Sequence, residues 1–385
     1  MKKYDFVVAG HLCLDISPAF AYAQSQSIEE LFRPGRLVNM DGVTISSGGP
    51  VSNTGFAMAR LGLNVCPMAN IGTDQFGTLL AQIADKETGG GVRRQPGVST
   101  SYSIVLSPPG IDRIILHDPA GNNVFTADDI DYEEVAQATC FHFGYPPLMK
   151  KVYENDGEEL TRIFSRAKAV GAVTSLDMSL PDVSSESGRV NWPVALEKVL
   201  PYVDLFLPSI EEALFMLDRS EYDRILKLCA GDDFTRYLDF AKIRALGERI
   251  LQMGSKLAFI KCGAHGVYIK TSDKEEMASI GKPDWSRREI FQPTYHVDNF
   301  KSALAGGDTT IAGFLSAMIR GYSFEDCARI ACKTGALCCT TLDSISGMRP
   351  IEQIYELTLS QTLQNSTALP QGHLRFCDKE KMYTL

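Results

Sequence analysis

Short apolar runs rich in β-branched residues alternate along this chain with stretches whose apolar residues recur at helical spacing. Residues 6–10, 65–71, 140–144, 173–177, 205–208, 257–261 and 267–270 predict strands. Residues 51–61, 77–84, 160–170, 194–200, 210–217, 237–252, 309–320 and 323–340 predict helices. That rhythm predicts an α/β fold with a mainly parallel central sheet covered on both faces. In such sheets ligands bind beyond the carboxyl ends of the strands. Two segments, 13–47 and 99–126, break the rhythm with alternating runs at 37–45, 101–106 and 111–116, which predict a small antiparallel sheet. Both leave and re-enter beside the expected ligand edge, so they read as a lid that excludes water. A decorative flap and a dimerisation surface are the other readings of the same pattern. Residues 182–191, 218–237 and 270–288 look inserted.

Composition narrows the function. The 385 residues, 44% hydrophobic and 22% charged, suffice for one large α/β domain or two ordinary ones. A net charge of −9 without a basic stripe speaks against nucleic acid as a partner. The first residues read as a charged lead-in to a buried strand. Their apolar run is too short for a signal peptide, and no stretch approaches a membrane span. The ten cysteines sit mostly in apolar segments without a Cys-x-x-Cys pair, which reads as reduced, buried thiols of a cytoplasmic protein. The adjacent Cys338 and Cys339 read as packing residues. The six histidines show no pair at metal-ligand spacing, and His142 reads as a strand residue.

The densest chemical signal is the stretch 305–321, from Ala305 through Gly306, Gly307 and Asp308 to Gly321. Ile311, Phe314, Leu315, Met318 and Ile319 form one apolar helical stripe, and Gly321 fits a C-terminal cap. The first amides of that helix have no intrahelical acceptor and favour an anion. A carboxylate there makes chemical sense as a base beside developing phosphate charge. Taken alone, the joint reads more readily as an ordinary Asp cap after a glycine turn. Gly48 and Gly49 lead through Pro50 to Asn53, whose amide offers both a donor and an acceptor to a polyol. Asp15, just past the first strand, can accept from two adjacent hydroxyls, or is a turn residue. Asp74 reads most simply as a helix cap. Lys261, Gly263 and Gly266 punctuate a turn that could receive nucleotide phosphates, with Lys261 adding a point charge. Glu211 or Glu212, after Pro208 and Ser209, could hold magnesium, or simply suit a helix N-terminus.

The order of these motifs resembles the PfkB (ribokinase-like) carbohydrate kinases over nearly the whole length. Gly-Gly-x-x-x-Asn, a helix ending Leu-Gly and then Gly-x-Asp-x-x-Gly are matched from Gly48 to Gly77, and the second signature from Ser302 to Phe314. The resemblance implies a ribokinase-like three-layer α/β/α fold with a mainly parallel central sheet plus a small β lid. Residues 1–12, 48–98 and 127–385 would form the core, and 13–47 and 99–126 the lid. It implies ATP and magnesium, an ATP-dependent kinase acting on a sugar, sugar acid or nucleoside, and a possible homodimer through the lid. It implies Asp308 as general base, and Gly306, Gly307 and Ala305 as the anion hole. Asp15, Gly48, Gly49 and Asn53 would bind the substrate, with pocket shape set by Ser101, Tyr102, Arg113, Asn122 and Tyr145. Ser209, Lys261, Gly263 and Gly266 would meet the nucleotide, and Glu212 the magnesium, through water.

The departures are Ala305 for the first Gly of the anion hole, Ser302-Ala303 for Asp-Thr, Ser209 for Asn and Lys261 for Thr. Cys13 stands where ribokinase-type members have Asn, and Pro50 where they have Lys. The Asp missing at Ser302 helps hold a monovalent cation in relatives, which argues against potassium activation. The altered anion hole and nucleotide loop motivate a second expectation, a weakly active or inactive family member that senses its ligand. A nicotinamide dehydrogenase is disfavoured, since Gly10-His11-Leu12-Cys13-Leu14-Asp15 is not Gly-x-Gly-x-x-Gly.

Overall fold

The computed structural model describes residues 2–21, 31, 33–108, 114–360, 363 and 374–384. Part of the expected 13–47 segment, the start of the 111–116 run and Arg113 lie outside them. The strands in chain order are β1 (Tyr4–Gly10), β2 (Cys13–Phe20), β3 (Met40–Gly48), β4 (Val65–Met68), β5 (Asn70–Gly72), β6 (Arg93–Gln95), β7 (Tyr102–Leu106) and β8 (Ile114–Asp118). They continue as β9 (Ala138–Gly144), β10 (Val173–Asp177), β11 (Leu205–Phe206), β12 (Leu257–Lys261), β13 (Gly266–Thr271), β14 (Glu289–Pro293), β15 (Arg375–Cys377) and β16 (Met382–Thr384).

Among the described residues a ten-stranded sheet runs β15-β16-β14-β13-β12-β11-β10-β9-β1-β4. The stretch from β12 to β4 is parallel, and β13 onward is antiparallel. Helices cover both faces. One core packs Phe141, Phe143, Phe164, Trp192 and Phe206, the other Phe6, Phe259, Phe314 and Trp285. Burial on both faces explains why these strands read as continuous apolar runs rather than alternating ones. The expected 65–71 strand is two. Val65–Met68 pairs with β1, whereas Asn70–Gly72 turns away to pair with β6. The expected 160–170 helix is the second half of Lys150–Ala169, which breaks at Glu154–Gly157. The 51–61 helix opens as a wide π-type turn, Val51–Phe56, before Ala57–Arg60. β14, β15, β16 and the helix Ile351–Ser360 were not expected. The C-terminal strands are three residues each, too short for a periodic signal.

A second sheet, β3-β2-β7-β8, stands off the carboxyl edge of the first. β2 starts three positions after β1 ends, and β3 delivers the chain back to Gly49 and Pro50. Met40, Val43, Ile45, Ile115 and Leu116 of this sheet are exposed.

The helix Gly306–Ile319 is buried on every side from Asp308 to Met318, so it is central rather than a one-striped surface helix. Phe314 meets Phe259 of β12 at a ring separation of 4.7 Å. Its other side lies against the helix Phe324–Cys338 so closely that a Cβ on Gly313 would stand 2.5 Å from Thr334 Oγ1 and 3.1 Å from Ala331 Cα. Gly313→Ala is therefore expected to cost about 1–3 kcal/mol through overpacking, despite alanine's better helix propensity. Urea unfolding of the variant checks this, and a gain in stability would mean that the two helices do not pack this tightly.

Candidate active site

Parallel pairing sets the strand ends level. Gly10 of β1 is in register with Gly144 of β9, and Gly144 with Asp177 of β10. The residues that follow those ends converge above the sheet, and the helix Gly306–Ile319 points its N-terminus at the same place.

Asp308, in the first turn of that helix, is 3% exposed. Asn53 Nδ2 donates to its Oδ2 at 3.0 Å, and the Tyr145 hydroxyl donates to the same oxygen at 2.7 Å. Oδ1 is buried and has no partner. Burial raises the Asp308 carboxyl above its ordinary 3.8, against the pull of Tyr145, the Lys261 charge and Asn53. One carboxylate oxygen is thus fixed and the other free to accept a proton. Tyr145 itself adopts a left-handed conformation with φ 62°, a strained setting for a bulky residue at the end of a strand. Burial, then the Asp308 charge, push its phenol well above the ordinary value, so it remains a donor.

Asp15, Gly48, Gly49 and Asn53 share one wall. Asp15 of β2 faces Ser46 of β3, and a Cβ on Gly48 would stand 2.2 Å from Asp15 Oδ2. A side chain at 48 therefore cannot coexist with this carboxylate position. Burial raises Asp15 as well, opposed by Cys13 and Ser103. Asn53 N donates to the Gly49 carbonyl at 2.7 Å, which ties this wall to Asp308 through the Asn53 side chain.

On the other side of the helix N-terminus lies a cleft of about 440 Å³ lined by Gly263, Gly266, Tyr295, Val297, Gly307 and Ala336 among others. That volume is ordinary for a small-molecule site. Lys261, read from sequence as a point charge beside the turn, lines this cleft as well. Its Nζ turns inward and donates to Asp177 Oδ1 at 2.6 Å and the Leu207 carbonyl at 2.7 Å. Its stem passes beneath Gly307, where a Cβ would stand 3.4 Å from Lys261 Cε. Burial opposes its charge, but Asp177 and Glu212 more than offset this and hold it above its ordinary value. Ser209 and Glu212 form a reciprocal helix cap: Ser209 N donates to Glu212 Oε2 at 2.6 Å, and Glu212 N to Ser209 Oγ at 3.2 Å. Asp74 is the simple helix cap the sequence suggested, accepting from Gly77 N at 2.8 Å.

Ala305, the cap of the Gly306–Ile319 helix, has φ 57° and ψ 13° and gives no side-chain cap. The segment before it is pinned to the next helix, with Lys301 N donating to the Cys339 carbonyl at 2.8 Å. Cys338 Sγ donates to the Leu304 carbonyl at 3.2 Å and is buried, the packing role read from sequence, whereas Cys339 is half-buried and lines the cleft.

Sequence reasoning missed three contributors. Asp177 closes the predicted 173–177 strand but was not singled out. His11 and His117, read as unpaired, meet at 3.1 Å between their Nε2 atoms, 106 positions apart in the chain. His142 is a β9 residue as expected, its Nδ1 2.9 Å from Ser175 Oγ. No local spacing signals the histidine contact, because it is made between the two sheets. The strand-end position of Asp177 was the one available hint.

Comparison with known proteins is consistent with this geometry. The family model described as pfkB family carbohydrate kinase matches residues 12–351. An uncharacterized sugar kinase of Archaeoglobus fulgidus is 26% identical over 288 residues, 73% of this chain and 93% of the relative. Fructokinase-1 of Zea mays is 28% identical over 191 residues, 47% and 57% of the two chains. A 5-dehydro-2-deoxygluconokinase of Shouchella clausii is 21% identical over 375 residues, 94% and 97%. Among solved structures, Arabidopsis thaliana ribokinase complexed with ribose and ATP aligns with a TM-score of 0.67 at 18% identity, covering 92% of this chain and 98% of that one. A putative ribokinase II from E. coli with ATP and magnesium gives 0.66 at 18% identity, covering 92% and 99%. The fold is thus the ribokinase-like α/β/α fold.

Ala305 supplies a stability test. An alanine in the left-handed region costs about 1–2 kcal/mol that glycine avoids, partly offset by glycine's freer unfolded chain. Ala305→Gly is expected to raise stability by about 0.5–1 kcal/mol in thermal or urea unfolding. A clear loss would show that the conformation at 305 is unstrained.

Proposed function

The chain belongs to the pfkB family of carbohydrate kinases, and from that premise we propose that it phosphorylates a hydroxyl of a sugar, sugar acid or nucleoside with ATP. The observation that carries the assignment is the buried, unpartnered Oδ1 of Asp308 beside a cleft and a helix N-terminus without a side-chain cap. In this reading Oδ1 takes the hydroxyl proton as the acceptor oxygen attacks the γ-phosphorus, and the bond to ADP breaks with its electrons leaving on ADP. The Gly307 amide, together with the Ala305–Gly306 turn, whose Gly306 amide also donates to the Ala303 carbonyl at 3.2 Å, receives the charge on the transferring group. Asp15, Gly48, Gly49, Asn53 and Tyr145 form the acceptor side. Gly263 and Gly266 line the nucleotide cleft, and Ser209 and Lys261 border it. Lys261 contributes through its charge beneath Gly307, not as a hand on the loop. Catalysis is then mostly positioning and charge stabilisation.

The residues present suit magnesium. Magnesium usually takes one or two protein carboxylates and fills its shell with phosphate and water oxygens. Glu212, whose charge acts on both Lys261 and Asp308, offers one such carboxylate, and its cap contact to Ser209 N fixes its direction. The ion, when bound, neutralises phosphate charge.

We further assign residues 13–47 and 99–126 to a lid over a core formed by 1–12, 48–98 and 127–385. The exposed apolar residues of the β3-β2-β7-β8 sheet make it the surface for a homodimer. Ser302-Ala303 leaves no carboxylate at the position that holds a monovalent cation in relatives, so activity is independent of potassium. A second reading, a ligand sensor with little turnover, is favoured by the strained Ala305 and by the engagement of Lys261 with Asp177.

One assay separates the two readings. ATP turnover is measured across a panel of sugars, sugar acids and nucleosides. At least one member is expected to be phosphorylated, and Asp308→Asn to lower its kcat by about 10²–10⁴-fold while ATP still binds. Saturable binding of a panel member without turnover of any would favour the sensor.

The raised Asp308 carboxyl predicts the pH profile. A base works only when ionised, so kcat/KM falls as pH drops through its value, and that acidic limb should lie above the ordinary 3.8. Tyr145→Phe removes a hydrogen bond that holds the carboxyl down, and should move the limb to higher pH. An unmoved limb would assign it to another group.

A further inference from the structure

We propose that His11, Cys13 and His117 form a binding site for a zinc-class divalent ion at the corner where β1 passes into β2. One ligand atom from each lies within 4.8 Å of the other two. The His11 and His117 Nε2 atoms are 3.1 Å apart. Zinc–nitrogen bonds of about 2.0–2.1 Å at tetrahedral angles put two ligand nitrogens roughly 3.3 Å apart. Two imidazoles and one thiolate suit zinc far better than magnesium or calcium, which prefer oxygen. Three protein ligands leave a fourth position open for water; Asp15 Oδ1, 3.3 Å from Cys13 Sγ, accepts from the thiol when no ion is bound.

The surroundings hold the ligands in position. Asn122 grips both backbone groups of Leu12, the residue between His11 and Cys13: its Oδ1 accepts from Leu12 N at 3.3 Å, and its Nδ2 donates to the Leu12 carbonyl at 3.0 Å. Ser103 Oγ lies 3.1 Å from His117 Nδ1, which orients that ring and leaves Nε2 for the ion. The same hydroxyl is 3.6 Å from Cys13 Sγ. His11 is 2% exposed, and its Nδ1 is buried without a partner. Proton accounting uses that vacant nitrogen. Without metal, one proton lies between the two Nε2 atoms. On binding, the thiol proton leaves to solvent and the shared proton moves to His11 Nδ1, so both nitrogens and the sulfur present lone pairs. The ion then ties His117 on β8 to the turn that leaves the central sheet, joining the two sheets where the acceptor side lies.

The test uses the full chain and zinc itself. Zinc is titrated against a colorimetric chelator, and cobalt(II) is substituted for spectroscopy. One zinc per chain is expected, lost in His117→Ala and in Cys13→Ser. Ser103→Ala should weaken it about ten-fold, as an orienting partner does. Cobalt should give the intense visible bands of a tetrahedral site and a thiolate-to-metal charge-transfer band, the latter absent in Cys13→Ser. Circular dichroism verifies that each variant is folded. No zinc retained against the chelator by the unaltered chain, or wild-type retention by folded Cys13→Ser and His117→Ala, overturns the site. These readouts need no phosphoryl transfer, so the metal site and the kinase reading fail separately.

Discussion

A buried carboxylate needs hydrogen bonds, and the way Asp308 receives them organises the site. Both of its donors, Asn53 and Tyr145, reach the same oxygen. Asn53 belongs to the turn after Gly48 and Gly49, and Tyr145 to the end of β9, so one oxygen holds two separate parts of the chain to the Gly306–Ile319 helix. The other oxygen is left without a partner. Full satisfaction would have made Asp308 an inert cap. Half satisfaction costs stability, because an unpaired buried polar atom is unfavourable by about 1–3 kcal/mol. Such a cost is characteristic of functional sites.

Much of this was legible in the sequence, for a physical reason. A parallel sheet buried on both faces writes its strands as continuous apolar runs, and glycine clusters mark where backbone must pass close to something. Gly48 to Asn53 and Gly306 to Asp308 were therefore visible without coordinates. The contacts among them were not. Asp177 and Lys261 pair across 84 positions and Tyr145 reaches Asp308 across 163. Neither leaves any period in the local pattern, because such pairs are set by strand register and not by neighbours in sequence. The sequence marked Lys261 as a point charge beside a glycine turn, but not the Asp177 carboxylate that its Nζ meets at the sheet edge. The split of the 65–71 run has a similar origin, since an apolar run records burial but not which sheet provides it.

The departures from the family's pattern form one structural group. Ala305 takes a left-handed conformation that glycine would adopt without strain, and the segment leading to it is anchored to Cys339. Lys261 places an ammonium group beneath the same turn. A carboxylate at 302 is missing, and a fixed positive charge is present nearby. In a site with Asp177, Glu212 and Asp308 close enough to influence one another, that ammonium offsets negative charge, which in the proposed reaction would otherwise oppose an incoming phosphate. Asp177 holds Lys261 at this position.

The acceptor side obeys a different constraint, because it lies between two sheets that share no strand. Its polar groups come from the β1–β2 corner, from the β3 exit and from β8. Asn122 fastens the corner through the Leu12 backbone, and Ser103 touches both His117 and Cys13. Burial lowers both imidazoles, His11 most strongly, so they are neutral near pH 7 and bind as lone-pair or N–H partners rather than as cations. The two sides of Asp308 are thus built on opposite principles. The cleft side uses fixed positive charge and an uncapped helix N-terminus, as an anionic ligand requires. The acceptor side offers hydroxyl, amide and carboxylate groups, a set suited to hydroxyl recognition. Asp308 stands where the two meet, which is where the proposed reaction needs a proton leaving a hydroxyl and a phosphoryl group arriving at it to be handled together.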